Sequence, residues 1–280
     1  MPPIEKEFEK KLSSKKLSDS LVIALAKSFH TRIVESDYAT NSKYCQMSRI
    51  NTVIKKFYPH LYVTISAFNK PDRAEKQAEI KKRYEFNVKR LENRQEFTYK
   101  EVTKAITTLK DSEDYYKLVV CILLSSGRRA TEVIARGNFE PSHLKHHVLF
   151  SGQLKTKEEK RDAYDIPVVG MTPENLIEIV EKIRTLKDYQ DKSNDFIASR
   201  TNAYINKAIA NIFDKDRHVT SETLRCIYAY IAYRLYGNPQ ISETLYGSKI
   251  LGHKEGNLNT FAVNYNRVFV KGVPNTKKIC

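Results

Sequence analysis

The stretch from Val119 to Ile134 constrains this chain more than any other. Val119-Val120-Cys121-Ile122-Leu123-Leu124 is an unbroken apolar run, which a helix carries only when it is buried on every side. The run breaks at Ser125-Ser126-Gly127, Arg128 and Arg129 follow at once, and apolar residues resume at Val133-Ile134. The chain must therefore set two guanidiniums at the rim of a core, held by packed flanks. A guanidinium fixed in this way suits a phosphate, because its planar fork donates two parallel hydrogen bonds. Glu132 falls three residues after Arg129, about one helical turn on, and is placed to brace that arginine from behind.

The charge balance points the same way. The 280 residues carry a formal net charge of +15, an excess that fits a polyanion, with nucleic acid ahead of an acidic membrane surface. No apolar run approaches the roughly 20 residues of a membrane span. The opening Met1-Pro2-Pro3-Ile4-Glu5-Lys6 has no apolar signal core. Cys45, Cys121, Cys226 and Cys280 are widely scattered, so they fit neither a zinc site nor a disulfide framework and suggest a reducing compartment. The expectation at this point is an intracellular protein that binds nucleic acid.

Two domains suit this length. Residues 1–70 read as helical. Ser18-Asp19-Ser20 offers caps for the Leu21–Phe29 run, and a second helix covers Tyr44 to Phe57, stopping before Pro59. Leu61 to Phe68 is β-rich in composition. Pro71 to Gln95 reads as one long polar helix with a thin apolar stripe of Ile80, Tyr84, Val88 and Leu91. Its Lys81-Lys82-Arg83 cluster is a candidate DNA-facing element. The boundary is placed near residues 94–97, giving a helical N-terminal DNA-binding domain (1–96, with the basic linker helix at about 71–95) and a second domain (97–280). In the second, Thr98-Tyr99-Lys100-Glu101 is a capping box. His147–Lys157 and Ala163–Val169 read as a hairpin with Lys155, Lys157, Lys160 and Arg161 on its loop. Further helices start at Thr172-Pro173-Glu174, run through Ser199–Phe213, and follow Val219–Arg225. The fold class is mainly α with a small antiparallel β-sheet.

Five residues then stand in a telling order: Arg129, a hairpin-loop lysine, Arg225 at a helix start, His253 and Tyr265. This order resembles the tyrosine recombinase superfamily. Ser126-Gly127-Arg128-Arg129-Ala130-Thr131-Glu132 is similar to its first box, Thr223-Leu224-Arg225 to its second, and Leu251-Gly252-His253 to its Leu-Gly-His motif. The double Arg after Gly127, Phe150-Ser151-Gly152-Gln153-Leu154-Lys155 and Leu224-Arg225-Cys226-Ile227-Tyr228-Ala229 look most like the telomere resolvases, or protelomerases. The matches cover about residues 98–268. There are two departures. Glu222 stands where the second box usually carries His or another proton-handling residue. Tyr265 falls twelve positions past His253, a longer gap than integrases use.

The resemblance implies a tyrosine-recombinase-type catalytic domain that breaks and rejoins double-stranded DNA through a 3′-phosphotyrosyl link, without metal. Arg129, Arg225 and His253 would hold the non-bridging oxygens, Tyr265 would attack, and Lys155, with Lys157 as runner-up, would protonate the leaving oxygen. Glu132 would support Arg129, and Arg128, Lys157, Lys81, Lys82 and Arg83 would contact DNA. A telomere resolvase would work as a homodimer on a palindromic target and seal hairpin ends. The alternatives are a site-specific integrase joining two duplexes, and a DNA-binding protein on the same fold that no longer cleaves, which Glu222 keeps open.

Overall fold

The computed structural model describes residues 4–13, 17–154, 162–214, 217–253, 262 and 265–274. Two compact units divide the chain, Met1–Phe86 and Asn87–Cys280. The first holds α1 (Ile4–Ser13), α2 (Asp19–Val34), α3 (Thr40–Phe57) and α4 (Tyr62–Phe68). Their apolar stripes meet in a core that includes Phe8, Phe29, Ile33, Ile50, Ile54 and Ile65, each side chain adding about 1.5–3 kcal/mol by leaving water. The β-rich composition of Leu61–Phe68 is overruled here: one short turn at Pro59–Leu61 leads into α4, which puts Leu61 and Ile65 on the core side. The division between the units falls inside α5 (Arg73–Glu92), a helix with no buried residue.

The second unit is built around α7 (Tyr115–Ser126). Ten of its positions are buried, because α6 (Tyr99–Lys110), α8 (Pro173–Leu186), α9 (Asn194–Ala210) and α10 (Ser221–Tyr236) all pack against it. The Thr98 hydroxyl caps α6 as the sequence suggests, accepting from the Glu101 amide, whereas Ser18 precedes α2 without a side-chain cap hydrogen bond. Asp114 accepts from the amides of Tyr116 and Lys117, and Thr220 from that of Thr223. Gly127 ends α7 with φ +63°. A Cβ there would stand 2.1 Å from the Tyr228 ring, so the sharp exit needs a glycine. Glu132–Arg136 then forms one wide turn, closed by the Gly137 amide on the Glu132 carbonyl. Arg184 on α8 holds it by donating to the carbonyls of Glu132, Val133 and Gly137.

The hairpin is present as β3 (His147–Ser151) and β4 (Tyr164–Pro167), antiparallel, with a third strand, β2 (Asn138–Pro141), on the other edge of β3. A second pairing has no counterpart in the sequence patterns. β1 (Gln95–Thr98) runs parallel to β5 (Val268–Lys271), Gln95 opposite Val268. This pairing docks the chain just past Tyr265 onto the body of its own unit, where β5 packs on α10. α11 (Glu243–Ile250) leads into the turn before His253.

Candidate active site

The site forms where the turn after α7, the first turns of α10, the end of α11 and the entry to β5 converge. Arg225 is 5% exposed. Its Nη1 donates to the Gly127 carbonyl at 2.6 Å, so the break in α7 supplies the acceptor that orients it. Its Nε donates a long 3.4 Å bond to the Tyr265 hydroxyl. The His253 ring stands edge-on to the Tyr265 ring, centroids 5.1 Å apart and planes at 85°. Among the described residues, Arg225 Nη2 has no hydrogen-bond partner although it is buried. Burial lowers the Arg225 pKa from its ordinary value, Tyr265 opposes that, and the nearby Arg129 and Arg128 lower it further. A buried cation so placed is stabilised by an arriving anion.

Arg129 and Glu132 make the other flank. Arg129 Nη1 donates to Glu132 Oε1 at 2.7 Å and to the Leu154 carbonyl at 3.3 Å. Glu132 also accepts from the backbone amides of Arg129 at 2.9 Å and Leu154 at 3.0 Å. The Glu132 side chain is fully buried, whereas Arg129 keeps about a quarter of its side chain open, 26%. Burial alone would raise the Glu132 pKa. The guanidiniums of Arg128, Arg129 and Arg225, with the Arg129 amide, outweigh it and hold the carboxyl below its ordinary range. Glu132 is thus an ionised countercharge at neutral pH, shared by three arginines.

The structure therefore brings Arg225, His253 and Tyr265 together, with Arg129 and its brace Glu132 across the Gly127 turn. Lys155 and Lys157 lie outside the described residues. Lys81, Lys82 and Arg83 are exposed on α5. Arg128 departs from the expected DNA contact. It is completely buried, and its Nε, Nη1 and Nη2 donate to the Ser126 carbonyl, the Tyr164 hydroxyl and the Ile250 carbonyl. Its position, one residue before Arg129 as the chain leaves a left-handed glycine, turns it inward, under Phe150 at 4.7 Å from the ring centroid. Burial disfavours its charge, but Tyr164 and Glu132 keep it charged.

Glu222 does not pair with Arg129 or Arg225. Its carboxylate lies 3.2 Å from Arg267 Nη2, with the Glu222 side chain 54% exposed. Sequence reasoning missed Arg267, Arg184 and the Leu154 main chain. Arg267 had one available signal, its place two residues after Tyr265. The other two had none, since a backbone amide and an arginine on an amphipathic helix carry no pattern.

Chemically, the arrangement offers a phenol in contact with a guanidinium and an imidazole, and a second guanidinium fixed nearby by a buried carboxylate. These are groups that hold and attack a phosphodiester. A sequence profile of the telomere resolvase ResT/TelK catalytic domain matches residues 93–267. Among solved structures, a single-residue variant of protelomerase TelA covalently complexed with substrate DNA is similar over 97% of this chain and 90% of its own, with a TM-score of 0.82 and 20% identity. A mutant TelA complexed with a DNA hairpin product gives 0.81 over 96% and 88%, also at 20% identity. Protelomerase TelK complexed with substrate DNA gives 0.65 at 18% identity, over 97% of this chain and 58% of TelK. At these identities the likeness is one of fold. No curated protein sequence matches the chain.

Proposed function

This chain belongs to the telomere resolvase family, whose catalytic-domain profile spans most of its second unit, and on that footing we propose that Tyr265 is the nucleophile of a reaction that cuts duplex DNA and seals its ends into hairpins. The observation that carries the reading is the contact of Tyr265 with both Arg225 and His253. A phosphodiester resists attack because its oxygens are negative. Arg225, through its buried unpartnered Nη2, together with Arg129 and His253, neutralises the non-bridging oxygens as the fifth bond to phosphorus forms. The Tyr265 oxygen bonds to phosphorus and its proton leaves to water. The bond from phosphorus to the 5′ oxygen breaks, and that oxygen takes a proton from the hairpin-loop lysine, Lys155 or Lys157. The phosphotyrosyl link keeps the bond energy for rejoining.

Glu132 keeps Arg129 in place, and Lys81, Lys82 and Arg83 on α5 meet backbone phosphates. Glu222 lies nearer Arg267 than either arginine proposed to hold phosphate, an ion pair by distance without a hydrogen bond, and this favours cleavage over binding alone. Two copies act on one palindromic duplex, one strand each; the TelA structure complexed with a DNA hairpin product supports the hairpin outcome for this fold.

The test begins with a pool of inverted-repeat duplexes nicked at the centre and incubated with the protein in EDTA. DNA that becomes covalently attached is recovered and sequenced, and the intact form of that sequence is then offered. Hairpin ends are expected. Strand exchange between duplexes would replace this reading with an integrase, and a sequence-specific complex that never becomes covalent would replace it with a binding protein.

A further inference from the structure

Three consecutive carbonyls precede His253, and side chains from elsewhere in the unit grip all of them. Arg128 Nη2 donates to the Ile250 carbonyl at 2.5 Å. Gln153 Nε2 donates to the Leu251 carbonyl at 3.4 Å and to the Gly252 carbonyl. The two grips are joined: the Tyr164 hydroxyl accepts from Arg128 Nη1 at 2.7 Å and donates to Gln153 Oε1. Every donor in this relay gives and every acceptor receives, which also fixes which way the Gln153 amide faces. Gly252 has φ +66°, and a Cβ there would stand 1.7 Å from Gln153 Oε1. The backbone before His253 is therefore shaped to let Gln153 close on it.

A completely buried arginine is a costly way to satisfy two carbonyls, those of Ser126 and Ile250, unless their placement matters. Ring packing alone does not call for the relay, because Phe150 and Tyr164 already meet edge-to-face at 5.8 Å. We propose that Arg128, Tyr164 and Gln153 are positioning residues that act through His253, holding the 250–252 turn so that the imidazole meets both Tyr265 and the scissile phosphate. The inference rests on the role given to His253 above. It accounts for an arginine that no DNA reaches, and it makes two hairpin residues part of the machinery without contact to the reacting atoms.

A double-mutant cycle tests it. Tyr164→Phe and Gln153→Leu cut the relay at different links with little change in volume, so the cycle closes with either one. The readout is the single-turnover rate of covalent complex formation on the captured DNA, with DNA affinity and thermal melting measured beside it. Each variant is expected to slow covalent capture about tenfold, the loss typical of one buried hydrogen bond, while affinity holds. In the His253→Ala background neither is expected to slow it further. Equal losses in both backgrounds would overturn the proposal, because the relay would then be serving the fold at large. So would wild-type rates in both relay variants beside a slow His253→Ala. A His253→Ala protein that captures DNA at the wild-type rate would instead remove the role of His253, and the relay's purpose with it.

Discussion

Positive charge is handled in opposite ways by α5 and by the pocket at the end of α7. On α5, Lys81, Lys82 and Arg83 are exposed, and no residue of the helix is buried. In the pocket, Arg128 and Arg225 are buried, Arg129 is partly so, and the fully buried Glu132 is their common countercharge. Exposed cations attract any phosphate within a Debye length and are screened by salt. A buried guanidinium is dear to maintain, but it can hold one phosphate in one geometry without reorganising as charge develops. On the proposed reading, cations serve affinity on α5 and the reaction at Arg129 and Arg225, and burial is what separates the two uses.

Arg225→Lys should strike the hardest blow on the pocket side. A lysine at this site cannot reach both the Gly127 carbonyl and Tyr265, so single-turnover capture should fall about 10²–10³-fold, in the range of losing an oriented donor to a developing oxyanion. Retained capture would mean that the buried guanidinium is only structural.

Glu132→Gln comes next, and it reads out on stability. Removing a buried countercharge beside three arginines should cost roughly 2–4 kcal/mol at neutral pH by denaturant unfolding. The sign of the pH dependence follows from the lowered pKa: the folded protein binds this proton less readily than the unfolded chain. The stabilisation is therefore fully present above the ordinary carboxylate range and is lost as pH falls through the lowered value. The Gln variant should be less stable at neutral pH, and the gap to wild type should narrow on acidification. A gap constant with pH would show that Glu132 is not ionised in the fold.

The smallest effect belongs to α5. Replacing Lys81, Lys82 and Arg83 together with Ala should weaken DNA binding at low salt and make the dependence of log affinity on log salt shallower by about 2–3, at roughly 0.9 per phosphate contact. The effect on capture at saturating DNA should be much smaller than that of Arg225→Lys. A salt slope identical to wild type would remove these residues from the interface and dissolve the contrast with the pocket.

Much of this was legible in the chain. The all-apolar run into Gly127 announced a buried helix that breaks at the glycine, and α7 is that helix. The capping box at Thr98 marks a real helix start, and the first arm of the expected hairpin holds a real strand at His147–Ser151. Two parts were illegible for a physical reason. The β1–β5 pairing joins two four-residue segments about 170 positions apart, and the hydrogen bonds that define it are backbone groups common to every sequence. Arg128 and Arg129 are neighbours of one type, and nothing local separates them. Their fates diverge only because the backbone leaves Gly127 so that one side chain turns beneath Phe150 and the other meets Glu132. At Leu61–Phe68 composition alone did not decide the element: β-branched residues sit in α4 because Leu61 and Ile65 are buried on a helical face.

Tyr265 is proposed as the residue that bonds to phosphorus, and mapping the adduct tests this most directly. Protein trapped on nicked captured DNA in EDTA is digested with protease and nuclease, and the nucleotide-bearing peptide is sequenced by mass spectrometry. The predicted result is a 3′-phosphonucleotide on Tyr265, with no adduct from Tyr265→Phe although that variant still binds the DNA. A nucleotide on any other of the chain's 17 tyrosines, or an adduct that persists in Tyr265→Phe, would contradict it.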